Sequence, residues 1–216
     1  MKEYIKLLKL CKYGFRFKLN LACFLIFLGV GILIEITSKG NNMLGGFYIV
    51  ICSMYMYQFF ISLSLTDFVQ SSGLKYKLHV VLPVVANVVF CFILYSFVAG
   101  FRFLVLKNNP ADESTMVTTI LLCALFIIVL YIYTAFAYKY FIVAVVVFCI
   151  TFSVAMGVIG TDPSAYCPDI SYGCAVLIGY AAVFLGGLAE FIIGKLLYKK
   201  PLSERAFRGI FKSQIE

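Results

Sequence analysis

Six nearly uninterrupted apolar runs of membrane-crossing length constrain this chain more than any other feature: Leu19–Ile36, Met43–Leu65, Val80–Phe101, Met116–Phe136, Phe141–Gly160 and Gly173–Leu197. A helix needs about 20 mostly apolar residues to cross the hydrocarbon layer. A membrane strand would be shorter and alternate in polarity, and these runs do not alternate. Of 216 residues, 63% are hydrophobic and 13% charged, where a soluble domain has about 45–50% and about 25%. One soluble core could not hide that much apolar surface. The expected fold is an all-α integral membrane protein with six transmembrane helices. The fourth and fifth runs are parted only by "AYKY", Ala137 to Tyr140. A single helix over both would be about 65 Å long, about twice the hydrocarbon thickness, so the chain is expected to turn near Lys139.

Charge placement gives the orientation. Lys and Arg collect on the cytoplasmic side of short loops. With six spans, one side holds Lys2, Lys6, Lys9, Lys12, Arg16 and Lys18 of the leader, Lys75 and Lys77, Lys139, and the tail cations Lys195, Lys199, Lys200, Arg205, Arg208 and Lys212. The other side keeps Lys39, Arg102 and Lys107. Five spans would send the tail cations outside. Both termini are therefore expected in the cytoplasm, in a multi-pass protein of the cell membrane. The net charge of +8 follows from this topology and favours anionic lipid. It does not point to nucleic acid, because no soluble module interleaves cations with stacking aromatics.

The ends divide into faces. In residues 1–18, Tyr4, Leu8, Cys11 and Phe15 recur every three or four positions against Lys2, Lys6, Lys9 and Arg16. That pattern suits an amphipathic helix lying in the cytoplasmic interface. In residues 198–216, Pro201 stops the last span, Ser203 can cap a short helix, and Phe207, Ile210 and Phe211 oppose Arg205, Arg208 and Lys212. Between them, residues 19–197 form the six-span transmembrane domain.

The polar island "SLTDFVQSSGLKYKLHVVLP", Ser64 to Pro83, lies between the second and third spans. Asp67 and Gln70 have the spacing of a capping box, and Gly73 suits a helix stop. "FVQSS" can then make one to two turns before the basic "KYK". Helix–helix links need only about 2–8 residues, so the length leaves room for a docking element.

Polar residues inside the spans are the other candidates, because ionisable groups there are costly and mark function by default. Glu190 stands in a stripe of Ala182, Gly186, Glu190 and Gly194 at every fourth position, which lets another helix approach closely. Glu190 is expected either to gate a pathway or pair with a cation on a neighbouring helix or, more simply, to snorkel toward the cytoplasmic interface or pair with Lys195. Glu35 is expected at the outer interface. Gln58 and Asn87 are buried amides, and Pro83, one turn before Asn87, is expected to kink the third span and free a carbonyl. Cys23, Cys52, Cys91, Cys123 and Cys149 read as small packing residues. Cys167 and Cys174, seven positions apart at the outer face, could bridge in an oxidising compartment or stand as two free thiols. The sequence shows no metal-ligand motif, phosphate loop or nucleophile elbow. No catalytic residue, metal or cofactor is assigned, and the chain is not expected to be an enzyme.

A basic amphipathic leader, six helices with both ends inside, and "DFVQSSGLKYKLHVVLP" between the second and third spans resemble permease subunits of type-2 ABC exporters. The likeness spans the whole chain as architecture and rests on that one loop as motif. It implies an all-helical permease without a nucleotide site, working as a homo- or heterodimer with an ATP-binding cassette subunit. It also implies that Asp67, Phe68, Gln70, Lys75 and Lys77 lie in a coupling helix that docks on that subunit. The family's loop often has a glutamate and a proline before its basic residues, where Asp67 and Gly73 stand nearest here. Two other readings stay open. One is a non-transporting membrane protein, such as an immunity or assembly factor, that binds its target in the bilayer through the small-residue stripe. The other is a substrate-capture subunit of a vitamin transporter, although Ala22 is followed four later by Ile26 and so lacks that family's alanine spacing.

Overall fold

The computed structural model describes residues 17–64, 73, 76–160 and 170–200, with the side chains of 155, 156 and 158–160 excepted. Every regular element among the described residues is helical. We number the helices α1 (Phe17–Thr37), α2 (Met43–Ser64), α3 (Leu82–Asn108), α4 (Glu113–Ala137), α5 (Phe141–Gly160) and α6 (Tyr172–Leu197). A π-helical turn, Lys77–Val81, leads into α3, and a 3-10 turn, Pro110–Asp112, leads into α4. Five of these units are long and apolar enough to cross a membrane, namely α1, α2, α3 with its π-turn, α4 with its 3-10 turn, and α6. The chain is a multi-pass membrane protein. Helix α5 is apolar over Phe141–Val154.

The chain turns at Tyr138–Tyr140, as the length argument requires, with Tyr140 N–H donating to the Phe136 carbonyl at 2.8 Å. Four helices close a ring: α2 packs on α3, α3 on α6, α6 on α4, and α4 on α2. Helix α1 leans on α2 from outside, and α5 leans on α4. Large side chains fill the ring, with Tyr95, Tyr131, Phe126, Ile49 and Ile127 fully buried. Leu25, Ile26 and Leu33 of α1, Val143 and Ile150 of α5, and Leu177 and Leu185 of α6 point outward. Lipid is as apolar as these side chains, so exposure to it is their stable state, and close packing plus interhelical hydrogen bonds must hold the ring.

Pro83 explains the start of α3. Proline has no N–H and its ring clashes with the carbonyl four residues back, here His79. The turn before it widens, and Leu82 N–H reaches the Lys77 carbonyl, five residues back. The predicted local distortion takes this form.

Two boundaries differ from the hydropathy reading. The third helix runs seven residues beyond Phe101, to Asn108, and Arg102 lies inside it, 0% exposed. Glu35, expected at the interface, is also buried at 1%. The reason is that each is the other's partner. The proposed interfacial leader, the tail segment beyond residue 200, and most of the island fall outside the described residues.

Candidate functional site

Two buried polar clusters bracket the bundle. The first joins α1, α3 and α4 near the α1–α2 and α3–α4 turns. Arg102 Nε donates to Glu35 Oε1 at 2.5 Å and Nη2 donates to Oε2 at 3.2 Å, a side-on two-point ion pair. Two further donors are used: Nη1 reaches Thr119 Oγ1 at 2.7 Å and Nη2 the Asn42 carbonyl at 3.1 Å. A guanidinium–carboxylate pair hydrogen-bonded in this way can withstand a low dielectric where either ion alone could not. Glycine makes the room. A Cβ on Gly45 would meet Glu35 Oε2 and would lie 2.9 Å from the Glu35 amide nitrogen. One on Gly46 would lie 3.0 Å from Arg102 Nη2.

The second cluster joins α3, α4 and α6 near the α4–α5 turn. Glu190 is 0% exposed. Its carboxyl group accepts from Asn87 Nδ2 at 3.1 and 3.2 Å, one contact to each oxygen. Thr134 Oγ1 makes a further short contact to Glu190 Oε1. Glu190 therefore neither snorkels nor pairs with Lys195, which is exposed. It turns inward because α3 and α4 offer it polar partners there. Among the described residues, the pair Arg102–Glu35 is the one salt bridge, so Glu190 has no cation beside it. Asn87 Oδ1 and Tyr131 Oη, both buried nearby, have no hydrogen-bond partner among the described residues.

Beside this cluster lies a cavity of about 190 Å³ lined by Met54, Gln58, Tyr133, Thr134, Ala137, Tyr138 and Phe141. The structure thus gathers Glu190, Asn87 and, through Thr134, Gln58, the three intramembrane residues singled out from sequence. Thr134 links the cavity to the cluster and gave no sequence signal, because a threonine can satisfy its hydroxyl on its own helix.

The small-residue stripe is used within the chain. Ala182 is buried, and a Cβ on Gly186 would meet Tyr131 Cδ2 of α4 at 2.5 Å. Gly194 packs loosely, with Val80 Cγ1 at 3.7 Å. Helices α3 and α6 are further stitched by Tyr172 Oη to the Ala99 carbonyl at 2.8 Å, Tyr95 Oη to the Val176 carbonyl at 3.2 Å, and Ser96 Oγ with Tyr180 Oη at 2.9 Å.

Of the predicted docking residues, Asp67, Phe68, Gln70 and Lys75 lie outside the described residues, and Lys77 is exposed at the start of the π-turn. Ser64 Oγ and His79 Nδ1 are 3.2 Å apart, joining the end of α2 to the π-turn. The His79 ring meets Tyr198 edge-on at 5.7 Å, and Tyr76 meets the same ring at 5.2 Å. Cys174 is exposed in the first turn of α6, while Cys167 lies outside the described residues and the bridge with it. Cys52, Cys91 and Cys123 are buried in packing positions, and Cys149 is exposed on α5. No group of His, Cys, Asp and Glu able to hold a metal ion occurs among the described residues. No protein-family model matches the chain, and no curated protein or solved structure shows a significant match to it.

Proposed function

We propose that this chain is the transmembrane permease subunit of an ABC-type exporter in the cell membrane. In this reading α5 is the sixth span, both termini are cytoplasmic, and the subunit works as a homo- or heterodimer. A separate ATP-binding subunit docks on the island between α2 and α3 through Asp67, Phe68, Gln70, Lys75 and Lys77. The observation that carries the reading is how the island is anchored. Its two ends are tied together by Ser64 and His79, and its far end enters α3 directly through the π-turn. Movement of a docked partner would reach α2 and α3 together, and α3 bears both Arg102 and Asn87.

A second reading, a target-binding membrane protein without transport, is favoured by the large side chains inside the four-helix ring, where Tyr95 and Tyr131 are buried. One experiment separates the two. The tagged chain is isolated from its native membrane in mild detergent and co-purifying proteins are identified by mass spectrometry. An ATP-binding cassette subunit that is lost when residues 67–77 are scrambled supports the permease. A complex with another membrane protein and no ATPase supports the second reading.

A further inference from the structure

We infer that Glu190 is a reversible proton-binding site in the membrane interior, loaded from the cavity beside it through the Thr134 hydroxyl. The inference does not depend on whether an ATPase docks on the island.

The hydrogen count points to it. A threonine hydroxyl has one proton to donate. Thr134 Oγ1 lies 2.9 Å from the Tyr131 carbonyl and 3.1 Å from the Leu130 carbonyl, and it also contacts Glu190 Oε1. An ionised Glu190 can only accept, so three acceptors would share one hydrogen. With a proton on Glu190, the carboxyl O–H donates to Thr134 Oγ1 while Thr134 donates to its own helix.

The surroundings select the proton among cations. The titratable groups facing Glu190 from the packed helices are Tyr57 of α2, Cys91 of α3 and Tyr131 of α4, none of them basic. A buried carboxylate without a paired cation is costly, and protonation removes that cost without repacking. Glu190 does not line the cavity, whereas Thr134 does. A proton can be relayed without any atom passing the hydroxyl: it binds Thr134 Oγ1 from cavity water, the hydroxyl passes its own proton to Glu190 Oε1, and Thr134 ends unchanged. Gln58 and Tyr138 on the cavity wall can order the water that delivers it.

The test uses the full-length chain in membrane vesicles. Infrared difference spectra between acid and alkaline pH are recorded for the wild type and for Glu190→Gln. The same vesicles are treated with dicyclohexylcarbodiimide, which modifies protonated carboxyl groups in apolar surroundings. The expected result is a carboxylic-acid band lost in Glu190→Gln, and an adduct on the wild-type Glu190 peptide that declines as pH rises. Thr134→Val should slow the appearance of the adduct several-fold. Absence of any adduct on wild-type Glu190, or labelling that does not change with pH, overturns the inference. An unchanged rate in Thr134→Val overturns the route. Both wild-type readouts stand even if Glu190→Gln fails to fold.

Discussion

Arg102 and Asn87 stand 15 residues apart on α3, and each crosses the bundle to a polar cluster that includes a threonine of α4, Thr119 for the one and Thr134 for the other. Thr119 and Thr134 are likewise 15 residues apart. At about 1.5 Å per residue the two levels are roughly 22 Å apart. The antiparallel helices α3 and α4 sit diagonally across the ring, so these clusters fix their register at both ends while apolar packing fills the space between.

The ion pair leads to a double-mutant prediction. Arg102→Leu or Glu35→Leu alone leaves a buried charge unpaired and should cost about 3–5 kcal/mol. Changing both to Leu should cost clearly less than the two single losses added together. Unfolding in mixed detergent micelles, followed by circular dichroism, reads the cycle. Additive losses would mean that the two groups do not interact.

Two glycines of one stripe should behave differently. Gly186→Ala places a methyl group 2.5 Å from Tyr131 Cδ2 and should destabilise by about 1–3 kcal/mol, as overpacking does. At Gly194 the nearest atom is Val80 Cγ1 at 3.7 Å, an ordinary contact, so Gly194→Ala should be neutral or slightly stabilising. Thermal stability of the detergent-solubilised variants checks both. Equal effects would indicate that α6 packs on α4 elsewhere.

Topology can be read with an impermeant maleimide on a cysteine-free background. Single cysteines at Lys39 and Asn109 should label in intact cells. Those at Lys139 and Lys199 should label only after permeabilisation. Labelling of Lys199 from outside would remove the sixth span and the orientation built on it.

For docking, Lys75→Glu with Lys77→Glu should reduce recovery of an ATP-binding partner at least tenfold in the purification described above, while the chain still inserts. Ser64→Ala should keep the partner bound but weaken the link between partner and bundle, seen as ATP hydrolysis that no longer responds to cargo. Unchanged recovery after charge reversal would move the contact elsewhere.

The helices were legible in the sequence because bilayer thickness sets a length, and five helical units meet it. Ends were less so. The charge on Arg102 reads as a boundary when only neighbours in sequence are seen, yet α3 continues to Asn108 because Glu35, on another helix, accepts that charge. Depth could have hinted at it, since Glu35 and Arg102 both lie near the same side of the layer. Glu190 and Asn87 stood out as polar residues in apolar runs, but their partnership depends on how α3 and α6 rotate against each other. That rotation comes from Gly187 against Val88 and Gly179 against Tyr95, contacts that hydropathy does not encode. Thr134 was silent for a different reason: nothing distinguishes a threonine bonded to its own helix from one that also serves a neighbour.

The π-turn at the foot of α3 acts on angle as well as on height. One added residue in a helical turn offsets everything before it by about 100° around the axis, so Lys77 faces a different direction than an unbroken helix would give it. Pro83 sets that angle, and closing the turn to ordinary helix would swing Lys77 aside without moving the bundle. The foot of α3 is a phase setting between Lys77 and the membrane core, and Pro83 holds it.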